Sequence, residues 1–301
     1  MHSTKDLFSP SSIKAILRSR SLSLTHRFGQ NFLLNRELAR RILEHADLKR
    51  DDAVMEIGPG LGTLTFDIAS RVRELVAVEI DGGFVRYLQE ECRVRGAQNV
   101  HVLNGDFLRL DAKLVEQFAT PGTAVSNFPF AIGLKSVMNI LEEYQSVVLI
   151  VGTVQQEIAE RIVSHPGEKN YSWVSVYLQF LARTRVLQAH ISPRNFFPPP
   201  EVKSAIIRVE RGTQELPVEK KLFREFVKAA FSSRRKSLVN NLLVAYTELG
   251  RQELEYALRK RKKDARIRAE KLSVGDFVDL ALEFLPLLDE KEKYFPYSGD
   301  D

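Results

Sequence analysis

Cysteine is almost missing from this 301-residue chain: Cys92 stands alone, which excludes an internal disulfide and fits a reducing compartment such as the cytoplasm. Histidine is sparse and dispersed, at positions 2, 26, 45, 101, 165 and 190, with no ligand-like spacing to one another or to Cys92, so no metal site is expected. No apolar run approaches the roughly eighteen residues needed to cross a bilayer, which argues against a membrane protein. What remains is an ordinary composition, 44% apolar and 28% charged, in a chain long enough for one full α/β domain and a smaller one.

The net charge of +5 is unevenly spread: +4 over residues 1–27, −2 over 28–210, +6 over 211–288 and −3 over 289–301. Basic flanks around a near-neutral centre suit a polyanionic partner held by its backbone away from the chemistry. A solvated helical surface would give the same count. Residues 1–26, rich in Ser and Arg with Asp6 their only acid, read as a flexible basic N-terminal arm; the composition is also that of an organelle transit peptide.

Leu38, Ile42, Leu43 and Ala46 follow a helical period, with Asn35 placed to cap it. Short apolar runs near 53–57, 75–80, 100–103, 123–126 and 147–151 then alternate with helical stretches, the pattern of a parallel sheet covered by helices. Two later runs, near 184–190 and 204–209, are joined by a Pro-rich linker too short for a helical crossover, so the last strand should run antiparallel. The expected fold is α/β, a seven-stranded Rossmann-like sheet over 27–210. A small helical domain follows over 211–288, its first face made by Leu222, Phe223, Phe226, Val227, Ala230 and Phe231, and then an acidic tail at 289–301.

The turn Glu56-Ile57-Gly58-Pro59-Gly60-Leu61-Gly62 follows the first sheet strand and opens a helix, where such folds bind nucleotides. Gly58 and Gly60 let the backbone approach a ligand. The Gly spacing differs from the pyrophosphate-binding pattern, and Glu56 would repel phosphate while suiting a cationic, amino-acid-bearing ligand such as S-adenosylmethionine. Glu79 ends the second strand, where an acid reaches ribose hydroxyls. Asp106 and Phe107 follow the third, placed to accept from an adenine amino group and to pack on its ring.

Asn127-Phe128-Pro129-Phe130 closes the fourth strand. An amino nitrogen conjugated to a purine is a poor nucleophile, and the Asn oxygen with the neighbouring carbonyl can hold its N–H bonds while it pyramidalises. Pro129 fixes the backbone that aims these acceptors, and Phe130 offers a face for an unstacked base. The same four residues also fit a strand-end turn with two core phenylalanines.

Collinear segments from about 26 to 280 resemble the rRNA adenine N6-dimethyltransferases of the KsgA/RsmA family. They are His26-Arg27-Phe28-Gly29-Gln30-Asn31-Phe32-Leu33, the glycine turn, Val78-Glu79-Ile80-Asp81, Gly105-Asp106, the Asn127 motif, Gln155-Gln156-Glu157, Tyr171-Ser172-Trp173, Phe196-Phe197-Pro198-Pro199-Pro200-Glu201-Val202-Lys203-Ser204 and Phe231-Ser232-Ser233-Arg234-Arg235-Lys236-Ser237. The resemblance implies dimethylation, with S-adenosylmethionine as methyl donor, of two adjacent adenines in the 3′-terminal hairpin of small-subunit (16S) rRNA. The substrate would be a pre-ribosomal particle and the enzyme a cytoplasmic monomer. It also implies that Asn31 and Leu33 close over the methionine end of the cofactor, that Gly58, Glu79, Asp106 and Asn127 line its site, and that Asn127 Oδ1 and the Phe128 carbonyl accept from the target amine. Arg234, Arg235 and Lys236 are the expected RNA contacts, with Arg259–Lys263, Arg266 and Arg268 next.

The chain departs from the family pattern at several positions. Phe130 stands where Tyr is usual, Phe128 where Leu is usual and Gln156 where Lys is common, and Ala131–Lys135 lacks the usual Ile-Ser-x-Pro. These differences bear on substrate or rate more than on reaction type. Two alternatives are a large-subunit rRNA methyltransferase of the macrolide-resistance type and a non-catalytic nucleic-acid-binding relative such as a mitochondrial transcription factor.

Overall fold

The computed structural model describes residues 6–24, 29–213 and 216–288. The His26-Arg27-Phe28 part of the N-terminal motif and the acidic tail at 289–301 lie outside the described residues. The chain forms two compact units: one from the stretch up to Ala159 together with Arg185–Arg211, the other from Glu160–Thr184 together with the stretch from Gly212 onward.

In the first unit come α1 (Pro10–Ser19), β1 (Phe32–Leu33) and α2 (Arg36–Ala46), then an alternation of β2 (Ala53–Ile57), α3 (Thr65–Ala69), β3 (Glu74–Glu79), α4 (Gly82–Arg95) and β4 (Val100–Asn104). It continues through α5 (Ala112–Glu116), β5 (Thr123–Asn127), α6 (Gly133–Glu143) and β6 (Leu149–Gln155). The chain then leaves by α7 (Gln156–Val163) and α8 (Trp173–Leu181) and returns through β7 (Ala182–Ile191), β8 (Phe196–Phe197) and β9 (Ser204–Arg211).

Seven strands form one sheet in the order β4-β3-β2-β5-β6-β9-β7. The pairs from β4 to β6 are parallel, and β9 runs antiparallel to β6 from Leu149↔Glu210 to Gln155↔Ser204. β2 is buried at all five positions because helices cover both sheet faces, which is why it reads as a continuous apolar run. The order reverses between β2 and β5, so the carboxyl ends of these strands diverge and leave a crevice.

α2 starts where Asn35 Oδ1 accepts from the amides of Glu37 and Leu38, at 2.9 and 3.2 Å. Its Leu38, Ala39, Ile42, Leu43 and Ala46 share one core with Val54, Val125, Val151 and Ile206 of the sheet. Each fully buried Leu or Ile there contributes roughly 1.5–3 kcal/mol relative to exposure.

Two expectations are corrected. The stretch read as a flexible arm contains α1, whose Ile13 and Ile16 pack with Leu7 against Phe32, Phe84, Tyr87 and Leu88. Apolar spacing inside a Ser- and Arg-rich segment is enough to dock it. The boundary expected at 210/211 is also incomplete, since Glu160–Thr184 groups with the helical unit. That unit adds α9 (Lys220–Ala230), α10 (Leu238–Ala245), α11 (Arg251–Lys260) and α12 (Val274–Phe284). Its core joins α8 to α9 through Phe180 and Phe223, with ring centroids 4.0 Å apart, and Tyr171 donates to the Leu272 carbonyl at 2.8 Å. Among the described residues no helix is long and apolar enough to cross a membrane.

Candidate active site

A cavity of about 250 Å³ opens at the carboxyl ends of β2, β3, β4 and β5, all within the first unit. Gly58, Gly60, Glu79, Asp106, Asn127, Asn31 and Leu33 all line it. Among the described residues no Lys or Arg lines it, while the acids Glu56, Glu79 and Asp106 do.

The glycine turn adopts left-handed backbone, with φ of +66° at Gly58 and +56° at Gly60. A Cβ on Gly58 would lie 2.6 Å from Pro129 Cγ, and one on Gly60 would lie 2.8 Å from Phe32 Cε1. The turn is therefore packed directly between the Asn127 loop and β1. The Gly60 amide donates to Glu79 Oε2 and the Asp81 amide to Oε1, both at 3.0 Å, which fixes that carboxylate across the strand ends. Burial pushes the Glu79 carboxyl up, and those two amides pull it back.

Glu56 is 2% exposed and accepts from Thr65 Oγ1 at 2.7 Å. Burial, with the Glu79 charge adding to it, pushes its pKa up to about 8 against the Thr65 hydrogen bond. Neutral pH therefore finds it mostly protonated. Asp106 accepts from the Leu108 amide at 3.1 Å, which turns its carboxylate at the mouth of β4. Behind it, Phe107 is buried and stacked on Tyr144 at 5.5 Å.

Asn127 ends β5. Its Nδ2 donates to the Asn31 carbonyl at 2.7 Å, and its Oδ1 accepts from Thr153 Oγ1. The segment Gly29–Leu33 lies against this loop: Asn31 Nδ2 and the Phe130 amide both donate to the Gly29 carbonyl, at 3.1 and 3.3 Å. Pro129 lines the cavity, but Phe128 and Phe130 are not among its lining residues. Phe128 is 1% exposed, and a Cβ on Gly152 would come within 2.9 Å of its ring, so this side chain is core. Phe130 is half-buried and meets Phe196 edge to face at 6.1 Å.

The structure places Arg234, Arg235 and Lys236 in the second unit, in the turn between α9 and α10, all three exposed. Arg234 donates to the Lys169 carbonyl and to Glu270, at 3.1 and 3.3 Å. Sequence reasoning gave no site role to Thr153 or Gly152, and none to Phe196 beyond its place in a family motif. A detectable signal existed for Thr153, the one hydroxyl in the apolar run of β6, which pairs with Asn127 once the strands are in register.

A family model described as ribosomal RNA adenine dimethylase matches residues 22–285. The chain is 33% identical over 294 residues to ribosomal RNA small subunit methyltransferase A of Natranaerobius thermophilus, covering 91% of this chain and 96% of the relative. It is 35% identical over 255 residues to the protein of that name from Francisella tularensis subsp. novicida, covering 84% and 94%. A dimethyladenosine transferase structure from Plasmodium falciparum shares the fold at a TM-score of 0.70 and 21% identity, covering 85% of this chain and 98% of that one. The 23S rRNA methyltransferase ErmE superposes at 0.62 with 26% identity, covering 84% and 100%.

Proposed function

Because the chain belongs to the ribosomal RNA adenine dimethylase family, we propose that it methylates N6 of two adjacent adenines in the 3′-terminal hairpin of small-subunit (16S) rRNA, late in small-subunit assembly. It acts as a cytoplasmic monomer on a pre-ribosomal particle. The relatives at 33% and 35% identity are both named for the small subunit, which supports that target over a large-subunit one. Asn127 standing at the rim of an acid-lined cavity supports catalysis over mere nucleic-acid binding.

The residues present fit S-adenosylmethionine. Two buried acids, Glu56 and Glu79, line the cavity with no Lys or Arg among the described lining residues, and the left-handed glycines open the backbone where a cationic ligand would lie. When bound, that cofactor supplies a methyl group on a sulfonium centre.

The chain's own residues do the rest. Glu79, anchored by two amides, accepts from ribose hydroxyls; Asp106 accepts from the adenine amino group; Asn31 and Leu33 close over the methionine end. Asn127 Oδ1 keeps one lone pair beyond the Thr153 bond and, with the Phe128 carbonyl, accepts both N–H bonds of the target amine. That holds the nitrogen lone pair toward the methyl and matches developing positive charge on nitrogen. No strong base is needed, since the proton departs after the nitrogen has become cationic. Phe130 stacks on the flipped-out base. In the helical unit, Arg234, Arg235 and Lys236 contact phosphates.

The test is to incubate the protein with labelled S-adenosylmethionine and immature small subunits and to map modified nucleosides by mass spectrometry. Dimethyladenine in the terminal hairpin, lost with Asn127→Ala, is expected. Label confined to large-subunit RNA, or none at all, overturns the assignment.

A further inference from the structure

We propose that Thr153 is a positioning residue whose hydroxyl locks the Asn127 amide in the orientation that presents its oxygen to the target amine. The inference deepens the function proposed above and rests on it. β6 reads Leu149-Ile150-Val151-Gly152-Thr153-Val154-Gln155, and Thr153 is fully buried in it, directly opposite Asn127 in parallel register. A Val would fill the same space without burying a hydroxyl, so packing alone does not account for a threonine here. The hydroxyl has a partner in Asn127 Oδ1.

A carboxamide is nearly symmetric in shape and opposite in hydrogen bonding, so turning it over exchanges acceptor for donor. The Asn31 contact decides which way it lies, and the Thr153 contact holds it there. The Asn31 carbonyl can only accept and therefore draws Nδ2, at 2.7 Å. The Thr153 hydroxyl, able to donate or accept, is then left to donate to Oδ1 from behind and keeps it in place. One lone pair of that oxygen stays free. If the amide turned over, an N–H would face the N–H bonds of the incoming amine, and transfer would stall.

The adjacent residue serves the loop as well. Gly152 leaves room for the Ser126 carbonyl and the Phe128 ring; a Cβ there would run into that carbonyl and come within 2.9 Å of the ring. Consecutive positions on β6 thus support consecutive residues of the Asn127 motif, one by vacated volume and the other by a hydrogen bond.

The experiment compares Thr153→Val, Thr153→Ser and Asn127→Ala, using S-adenosylmethionine and immature small subunits. Readouts are kcat, KM for RNA, cofactor Kd by calorimetry and the denaturation midpoint. Thr153→Val is expected to lower kcat about tenfold, the worth of one oriented hydrogen bond. KM, Kd and midpoint should hold, and Thr153→Ser should restore the rate. Wild-type kcat in Thr153→Val alongside an inactive Asn127→Ala overturns this inference and leaves the Asn127 assignment standing. Full activity in Asn127→Ala overturns that assignment itself. A slow Thr153→Val with weakened cofactor binding or a lowered midpoint, or a Thr153→Ser that fails to rescue, shows a packing role and overturns the inference too.

Discussion

Replacing Glu56 by Gln should move stability and cofactor affinity in opposite directions. Glu56 is 2% exposed and accepts from Thr65, and burial raises its pKa from 4.5 to about 8. The sign follows from linkage. A carboxyl whose folded pKa is raised stays protonated while the unfolded chain ionises, so its contribution is whole below pH 4.5 and is lost as pH climbs through 8. Over that window the loss is at most about 5 kcal/mol, at about 1.4 kcal/mol per unit. Glu56→Gln keeps the shape and cannot ionise. Its unfolding free energy, measured by urea denaturation from pH 5 to 8, should therefore fall less with pH than the wild type's and exceed it at pH 8. Cofactor binding goes the other way, because a sulfonium favours the ionised carboxylate. Wild-type affinity for S-adenosylmethionine should tighten between pH 6 and 8, by up to about a hundredfold, with proton release on binding. Calorimetry in buffers of different ionisation enthalpy reads that release. S-adenosylhomocysteine, which lacks the sulfonium charge, should show a weaker pH dependence. Parallel pH–stability curves for wild type and Glu56→Gln would refute the reasoning, since they would mean Glu56 is ionised in the cavity without help.

Three further outcomes are expected. Phe130→Tyr should keep wild-type turnover, because the aromatic face is unchanged, whereas Phe130→Ala should weaken RNA binding by about 1–3 kcal/mol, read as a raised KM. Gly60→Ala forces a Cβ to 2.8 Å from Phe32 on a left-handed residue, adding about 1–2 kcal/mol of strain at the amide that holds Glu79; calorimetry should show cofactor affinity reduced at least tenfold in a chain with unchanged circular dichroism. Ile13→Ala, at a fully buried position of α1, should lower unfolding free energy by about 2–5 kcal/mol and speed proteolysis near residues 6–24; unaltered cleavage would mean the helix adds nothing to the core.

Much of the first unit was legible because its candidate site residues sit at strand ends. Parallel strands buried on both faces read as apolar runs, and the residues at or just beyond their carboxyl ends, Gly58, Glu79, Asp106 and Asn127, are brought together by sheet topology alone. What was hidden depends on contacts with no trace in local sequence. α1 was masked by its Ser and Arg content although Ile13 and Ile16 have helical spacing. The grouping of Glu160–Thr184 with the later helices follows from packing such as Phe180 on Phe223, more than forty positions away in the chain. Arg234 read from sequence as an RNA contact, and the fold gives it the Lys169 carbonyl and Glu270 as partners, which local sequence does not show.

The motif's departures from its family are best understood through those same hidden contacts. Read one position at a time, Phe128 is too large and Phe130 lacks a hydroxyl. In the folded chain the larger ring at 128 lies over Gly152, where no side chain competes for the volume, and the ring at 130 is braced edge-on by Phe196. The groups proposed to act on the amine are the Asn127 oxygen, the carbonyl of residue 128 and the face of the ring at 130. None of the three is a feature of the altered side-chain chemistry: one is untouched, one is backbone, and one is common to Phe and Tyr. Thr153 then holds the only group of the three that could turn the wrong way. The substitutions therefore change what supports the acceptors while leaving the acceptors in place, which is why altered motif letters are compatible with the same reaction.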